Sequence, residues 1–155
     1  MTAASKRESS SLPSPLRFLR TLWRLNHALE RRSSRMKVKL GITAQQRHVL
    51  RCLGTTDGIT AGALADLMHL DPGTLSAAVR RLELRGLVER TRDAADTRRV
   101  RLNLTKAGRR LDRPTKHTVE EAIEQLLAET SPADITRVSR VLQRLSELLD
   151  GDVSR

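Results

Sequence analysis

Residues 43–105 carry a fixed order of helix starts and stops that leaves few architectures open. Thr43-Ala-Gln-Gln46 has the form of a capping box, in which the Thr hydroxyl and the Gln side chain satisfy each other's exposed amides. It opens a short helix with Val49, Leu50 and Leu53 on its apolar face, stopped near Gly54. Gly58 marks a turn, and Thr60 caps a second short helix containing Leu64, Leu67 and Met68. Asp71-Pro72 then starts a third helix, since Asp is a favoured cap and Pro at the first helical position loses no hydrogen bond. That helix is expected to run to about Arg85, with Leu75, Val79 and Leu82 turned inward and Gly86 at its end. Leu87–Thr91 and Val100–Leu104 alternate apolar and polar residues like strands, around a charged tip at 92–99. Three short helices followed by a two-stranded hairpin make a winged helix-turn-helix.

The flanking segments are helical as well. From Leu16 to about Lys39, Phe18, Leu22, Leu25 and Leu29 are spaced 4, 3 and 4, a seam suited to pairing with another helix. Arg32 interrupts that seam towards its end. Beyond the hairpin, Thr105 caps a long helical stretch in which Pro114 should cause a bend or a break. Ser131-Pro132 starts a last helix, with Ile135, Val138, Leu142, Leu145 and Leu149 on one stripe. The expected fold class is mostly α with a small antiparallel β-wing. Its expected divisions are a disordered lead over 1–14, a dimerisation helix over 15–40, a winged unit over 41–105 and dimerisation helices over 106–150. The alternative for the apolar stripes is packing within one chain.

Charge distribution points to the partner. The net charge is +11, and residues 72–113 alone carry twelve Lys/Arg against five acids. Residues 1–40 carry ten against two, whereas 114–155 carry five against eight. Such a balance favours a polyanion, with nucleic acid first and an anionic membrane second. The aromatic residues are only Trp23 and Phe18, which argues against single-strand or RNA readers that stack bases on aromatic rings. The outward side of the third helix would offer Pro72, Gly73, Thr74, Ser76, Ala77, Arg80 and Arg81 to a major groove. A solvated basic face on an ordinary core helix is the alternative for Arg80 and Arg81.

Three pieces of this sequence, in order, resemble the MarR family of regulators. They are Ile42-Thr-Ala-Gln-Gln-Arg-His-Val-Leu50, then Leu70-Asp-Pro-Gly-Thr-Leu-Ser76 with Arg81-Leu-Glu83 and Gly86-Leu-Val-Glu-Arg90, and last a wing signature. That signature is Asp96-Thr-Arg98, five residues, then Leu104-Thr105. The resemblance implies double-stranded DNA as partner, homodimerisation through the first and last helices, and a pseudo-palindromic site. It assigns Arg98 to the minor groove, with Asp96 holding its guanidinium, where a narrow groove attracts Arg. An exposed Asp96–Arg98 salt bridge without further role is the alternative. Arg92, Arg99 and Arg101 are expected to contact phosphates. The resemblance further implies a repressor relieved by a small-molecule effector. Trp23, Asn26 and His27 are the candidate lining of a ligand cleft, although a Trp at such a position is more often simply core.

The competing functions are a non-specific architectural DNA protein, a redox-responsive regulator using Cys52, and a winged helix serving as a protein or membrane-surface module. The segment Leu70–Ser76 is similar to that of the organic-peroxide-sensing branch. That branch has its reactive Cys near the start of the first helix with Tyr partners, and neither is present here. Cys52, beside Leu53, is expected to pack as a small hydrophobe. His27, His48, His69 and His117 lack ligand spacing, so no metal site is expected. No glycine-rich phosphate loop or nucleophile–base pair is visible, and the expectation is a non-enzyme without cofactor. The polar opening and the lone cysteine fit a cytoplasmic protein.

Overall fold

The computed structural model describes residues 12–56, 58–93, 96 and 98–151. Its elements run α1 (Ser14–Leu40), α2 (Ala44–Thr55), β1 (Ile59–Thr60), α3 (Ala61–Met68), α4 (Pro72–Leu84), β2 (Val88–Arg92) and β3 (Val100–Leu104). They continue as α5 (Lys106–Leu111), α6 (Val119–Glu129) and α7 (Pro132–Asp150). The mostly helical fold with a small antiparallel sheet is therefore the one expected. Of the expected lead over 1–14, residues 1–11 lie outside the described residues, and Ser14 already belongs to α1.

After α1, which starts at Pro13 without a side-chain cap, each helix begins where a side-chain oxygen takes an orphaned amide. Thr43 accepts from the Gln46 amide at 3.2 Å, while Gln46 Oε1 accepts from the Thr43 amide at 2.9 Å. Thr60, Asp71, Thr105 and Ser131 cap α3, α4, α5 and α7 in the same way. The α1 helix ends at Gly41, whose left-handed φ of 73° suits a residue without a Cβ.

The chain divides into two compact units, Met1–Thr115 and Lys116–Arg155. The boundary expected after Thr105 thus falls ten residues later in this division, and α5 belongs with the winged unit. Two contacts fix α5 there: the Thr105 amide donates to the Leu87 carbonyl at 3.1 Å, and Arg47 donates to the Leu111 carbonyl at 2.6 Å. Pro114 marks a break, not a bend; α5 ends at Leu111, and Thr118 caps α6 afresh through the Glu121 amide.

In the first unit, Leu50, Leu64, Leu75, Leu82 and Leu102 are at most 1% exposed and join α2, α3, α4 and β3 into one core. Each such leucine contributes roughly 1.5–3 kcal/mol by leaving water. The sheet has the order β1-β3-β2, with Val88 opposite Leu104 and Ile59 opposite Leu102. The pair Ile59–Thr60 was not expected as a strand, because two residues are too few to show an alternation. In α1, Met36 is buried and Ser33 accepts a hydrogen bond from the Ala44 amide, so the helix is anchored by its carboxy-terminal half.

In the second unit, α6 and α7 bury no residue fully.

Candidate nucleic-acid interface

The α4 helix is built to show one face. Asp71 Oδ1 takes the Thr74 amide at 2.8 Å, and Pro72 sits in the first turn, so the helix starts sharply. Leu75, Ala78, Val79 and Leu82 are buried. Pro72, Gly73, Ser76, Ala77, Arg80 and Arg81 are exposed, and Thr74 is half-buried beside its cap. Ser76, Ala77, Arg80 and Arg81 line one shallow groove together with Leu84. Leu84 is 79% exposed, and the sequence reading missed it. Its signal was available: it lies four residues beyond Arg80 and seven beyond Ala77, on the same side of a helix.

Two contacts mark the flanks of this face. Glu83 Oε1 receives Arg90 Nε at 2.6 Å, which turns one flank towards β2. On the other flank, the Arg85 guanidinium donates to the Gly41 carbonyl at the end of α1.

The wing is the β2–β3 hairpin. Its tip closes through the Asp93 amide on the Arg99 carbonyl and the Arg99 amide on the Asp96 carbonyl, both at 2.9 Å. Residues 94, 95 and 97 of the tip lie outside the described residues. Asp96 does not take the Arg98 guanidinium. Its Oδ1 accepts from the Arg98 main-chain amide at 3.1 Å, and its Oδ2 lies 3.4 Å from Arg99 Nε. The carboxylate thus fixes the tip's backbone and leaves the exposed Arg98 side chain to reach outward.

Arg101 also differs from expectation. Its Nε is 2.5 Å from Asp93 Oδ2, and a second nitrogen donates to the Gly58 carbonyl at 2.6 Å. A guanidinium that holds a nearly buried carboxylate and a main-chain oxygen braces the wing. The arginines of this surface therefore fall into two sets. Arg85, Arg90, Arg99 and Arg101 are tied within the fold. Among the described residues, the guanidinium groups of Arg80, Arg81, Arg92 and Arg98 have no such tie.

The sequence reading also missed Arg47. It is 1% exposed, and its guanidinium donates to the carbonyl of Leu111, the last residue of α5, and to that of Arg113 just beyond.

The residues expected to pair chains are largely uncovered. On α1, Phe18, Leu25 and Leu29 are 44%, 50% and 41% exposed, with Leu22 half-buried. On α7, Val138 and Leu149 are exposed, and Ile135, Leu142 and Leu145 are half-buried. Of the expected ligand cleft, Trp23 and His27 line an open groove along α1 with Leu16, Leu19 and Arg20. Asn26 is not on that groove, and donates to Glu30 Oε1 at 2.9 Å. The described residues contain no cluster of three or more His, Cys, Asp or Glu side chains placed to hold a metal. No helix among them is long and apolar enough to cross a membrane.

This geometry matches known proteins. A sequence model described as the MarR family matches residues 42–100, the winged unit. The chain is 32% identical over 111 residues to the HTH-type transcriptional regulator TtmR of Methylorubrum extorquens. That match covers 72% of this chain and 56% of the relative, so the chain spans little more than half of that protein's length. Among solved structures, S. aureus MepR in a DNA complex shares 25% identity at a TM-score of 0.69, covering 85% of this chain and 97% of that one. A MarR/EmrR family transcriptional regulator from Acinetobacter has the same fold at a TM-score of 0.69 and 22% identity, covering 86% and 94%. The winged unit over residues 42–100 belongs to the MarR family, and the wider chain shares the fold of that family's solved regulators.

Proposed function

We propose that this protein binds double-stranded DNA sequence-specifically as a homodimer and regulates transcription, as a repressor released by a small molecule. One observation carries the reading: the open α4 face and the adjoining wing together hold the uncommitted arginines Arg80, Arg81, Arg92 and Arg98. A helix fits the major groove while a hairpin reaches the next minor groove, and Arg98 is the residue for the latter. The S. aureus MepR neighbour is itself a DNA complex, which supports the same use of the fold.

Dimerisation is supported by Phe18, Leu25, Leu29, Val138 and Leu149, large apolar side chains left in water on a single chain. A two-fold pair would set two α4 helices about one DNA turn apart and call for a pseudo-palindromic site. The α1 groove with Trp23, His27 and Arg20 suits an amphipathic effector, aromatic on one side and anionic on the other. The role needs no catalytic step, and it places the protein with the chromosome, in the cytoplasm.

Fluorescence anisotropy with the duplex upstream of the protein's own gene, against a shuffled duplex across a salt series, tests the reading. A preference that persists as salt rises supports a regulator. Equal binding of both duplexes at every salt concentration favours an architectural DNA protein. No binding even at low salt removes DNA as the partner. Sedimentation of Leu25→Asp, expected to be monomeric and weak in DNA binding, tests the dimer.

A further inference from the structure

We infer that the outer ridge of α4, formed by Ala77, Arg80 and Leu84, reads a guanine with thymine methyls beside it, whereas Arg81 grips phosphate. This rests on the DNA-binding reading above and divides the labour within that site.

The division follows from where each side chain leaves the helix. Each residue turns about 100° around an α-helix. The buried Leu75, Ala78, Val79 and Leu82 mark the inward direction. Ala77, Arg80 and Leu84 stand opposite them, all exposed. Arg81 is adjacent to Arg80 in sequence but leaves from a flank. That flank is identified by Arg85, one turn further on, whose guanidinium meets the Gly41 carbonyl. Glu83, tied to Arg90, marks the opposite flank. When a helix lies in a groove, its outermost ridge faces base edges and its flanks face the walls where phosphates run.

The chemistry of the ridge is selective. Arg80 offers an uncommitted planar fork, the geometry that matches O6 and N7 of guanine. Ala77 and Leu84 have no hydrogen-bonding atoms, and the thymine methyl is the apolar group a major groove presents. Leu84 is 79% exposed although the core has no use for it, an aliphatic surface awaiting a dry contact. Small side chains at Gly73 and Ala77 let the amino-terminal half of α4 approach closely. Seven residues separate Ala77 from Leu84, about 10 Å along the axis. At about 3.4 Å per base step the three contacts span three or four base pairs of one half-site.

The experiment selects a preferred duplex from a random pool with the wild-type chain. It then measures Arg80→Ala, Arg81→Ala and Leu84→Ala on single-base variants of that duplex, with thermal melting to confirm folding. Arg80→Ala should flatten the preference at one G·C pair per half-site, with about fivefold to hundredfold loss on the selected duplex and little on a shuffled one. Arg81→Ala should weaken both duplexes alike and lower the salt slope by about one per half-site. Replacing the flanking thymines with deoxyuridine, which removes only the methyl, should weaken the wild type more than it weakens Leu84→Ala, which keeps only the Ala77 contact. A preference at that G·C pair that survives Arg80→Ala, or one abolished by Arg81→Ala instead, overturns the assignment while leaving the regulator intact. A wild-type chain that selects no sequence overturns both.

Discussion

Arg101 braces the wing against Asp93: its Nε lies 2.5 Å from Asp93 Oδ2 while another of its nitrogens holds the Gly58 carbonyl at 2.6 Å. The Asp93 side chain is 9% exposed, so removing Arg101 takes the ion-pair partner from a nearly buried carboxylate. Arg101→Ala should cost about 1–2 kcal/mol of stability in chemical denaturation. It should also weaken DNA binding by loosening the hairpin that carries Arg98. With its guanidinium engaged by Asp93 and Gly58, Arg101 is proposed to brace the wing in place of holding a phosphate; the salt slope should then stay unchanged, while Arg92→Ala should lower it by about one per half-site. A reduced slope in Arg101→Ala would return that residue to the phosphate-binding set.

Gly41 and Arg85 form a second brace, between the end of α1 and the end of α4. Gly41 has φ 73°, and a Cβ built there would overlap the Arg85 guanidinium. Gly41→Ala should therefore destabilise by about 1–2 kcal/mol, part from backbone strain and part from the displaced guanidinium. Only the second part depends on Arg85. In an Arg85→Ala background the cost of Gly41→Ala should fall but not vanish, a coupling that a double-mutant cycle reads directly. Strict additivity would show that the guanidinium simply moves aside.

Much of this fold was legible because helix starts are local. Thr43, Thr60, Asp71, Thr105 and Ser131 each cap an amide three residues on, so residue type and spacing suffice to find them. Thr118-x-x-Glu121 is a start of the same type, obscured by the proline nearby. Arg47 was not legible. An arginine on a helix reads as solvated, and the carbonyls that bury it belong to residues 64 and 66 positions away. The brace made by Arg101 was hidden for the same reason, since Gly58 is 43 residues distant. The site showed as a set of residues, but its division into braces and free cations depends on tertiary contacts that no local pattern records.

Cys52 is half-buried in α2, with Sγ 3.9 Å from His48 Nε2. Burial pushes its thiol up from the ordinary range, which disfavours the reactive thiolate. Cys52→Ser should leave DNA affinity and effector release unchanged, and peroxide treatment of the wild type should not release DNA. Release by peroxide that Cys52→Ser abolishes would establish a redox sensor.

The start of α4 should be pH-sensitive. Hydrogen bonds from Thr74, through its side chain first and its main-chain amide second, hold the Asp71 carboxyl below the usual carboxylate range. A folded-state value below the unfolded one, about 3.9, means that the capping contribution is fully present above that value. It is then lost as pH falls through the lower, folded-state value. The protection of the Thr74 and Leu75 amides, taken relative to their intrinsic exchange rates at each pH, should therefore fall at acidic pH in the wild type. Asn caps a helix without titrating, so Asp71→Asn should keep the cap and lose the acid dependence. Asp71→Ala should expose the same amides already at neutral pH and weaken DNA binding, because Gly73 and Ala77 lie in the first turns that would fray. Equal protection in Asp71→Ala and the wild type at neutral pH would show that Pro72 and the core hold the turn unaided.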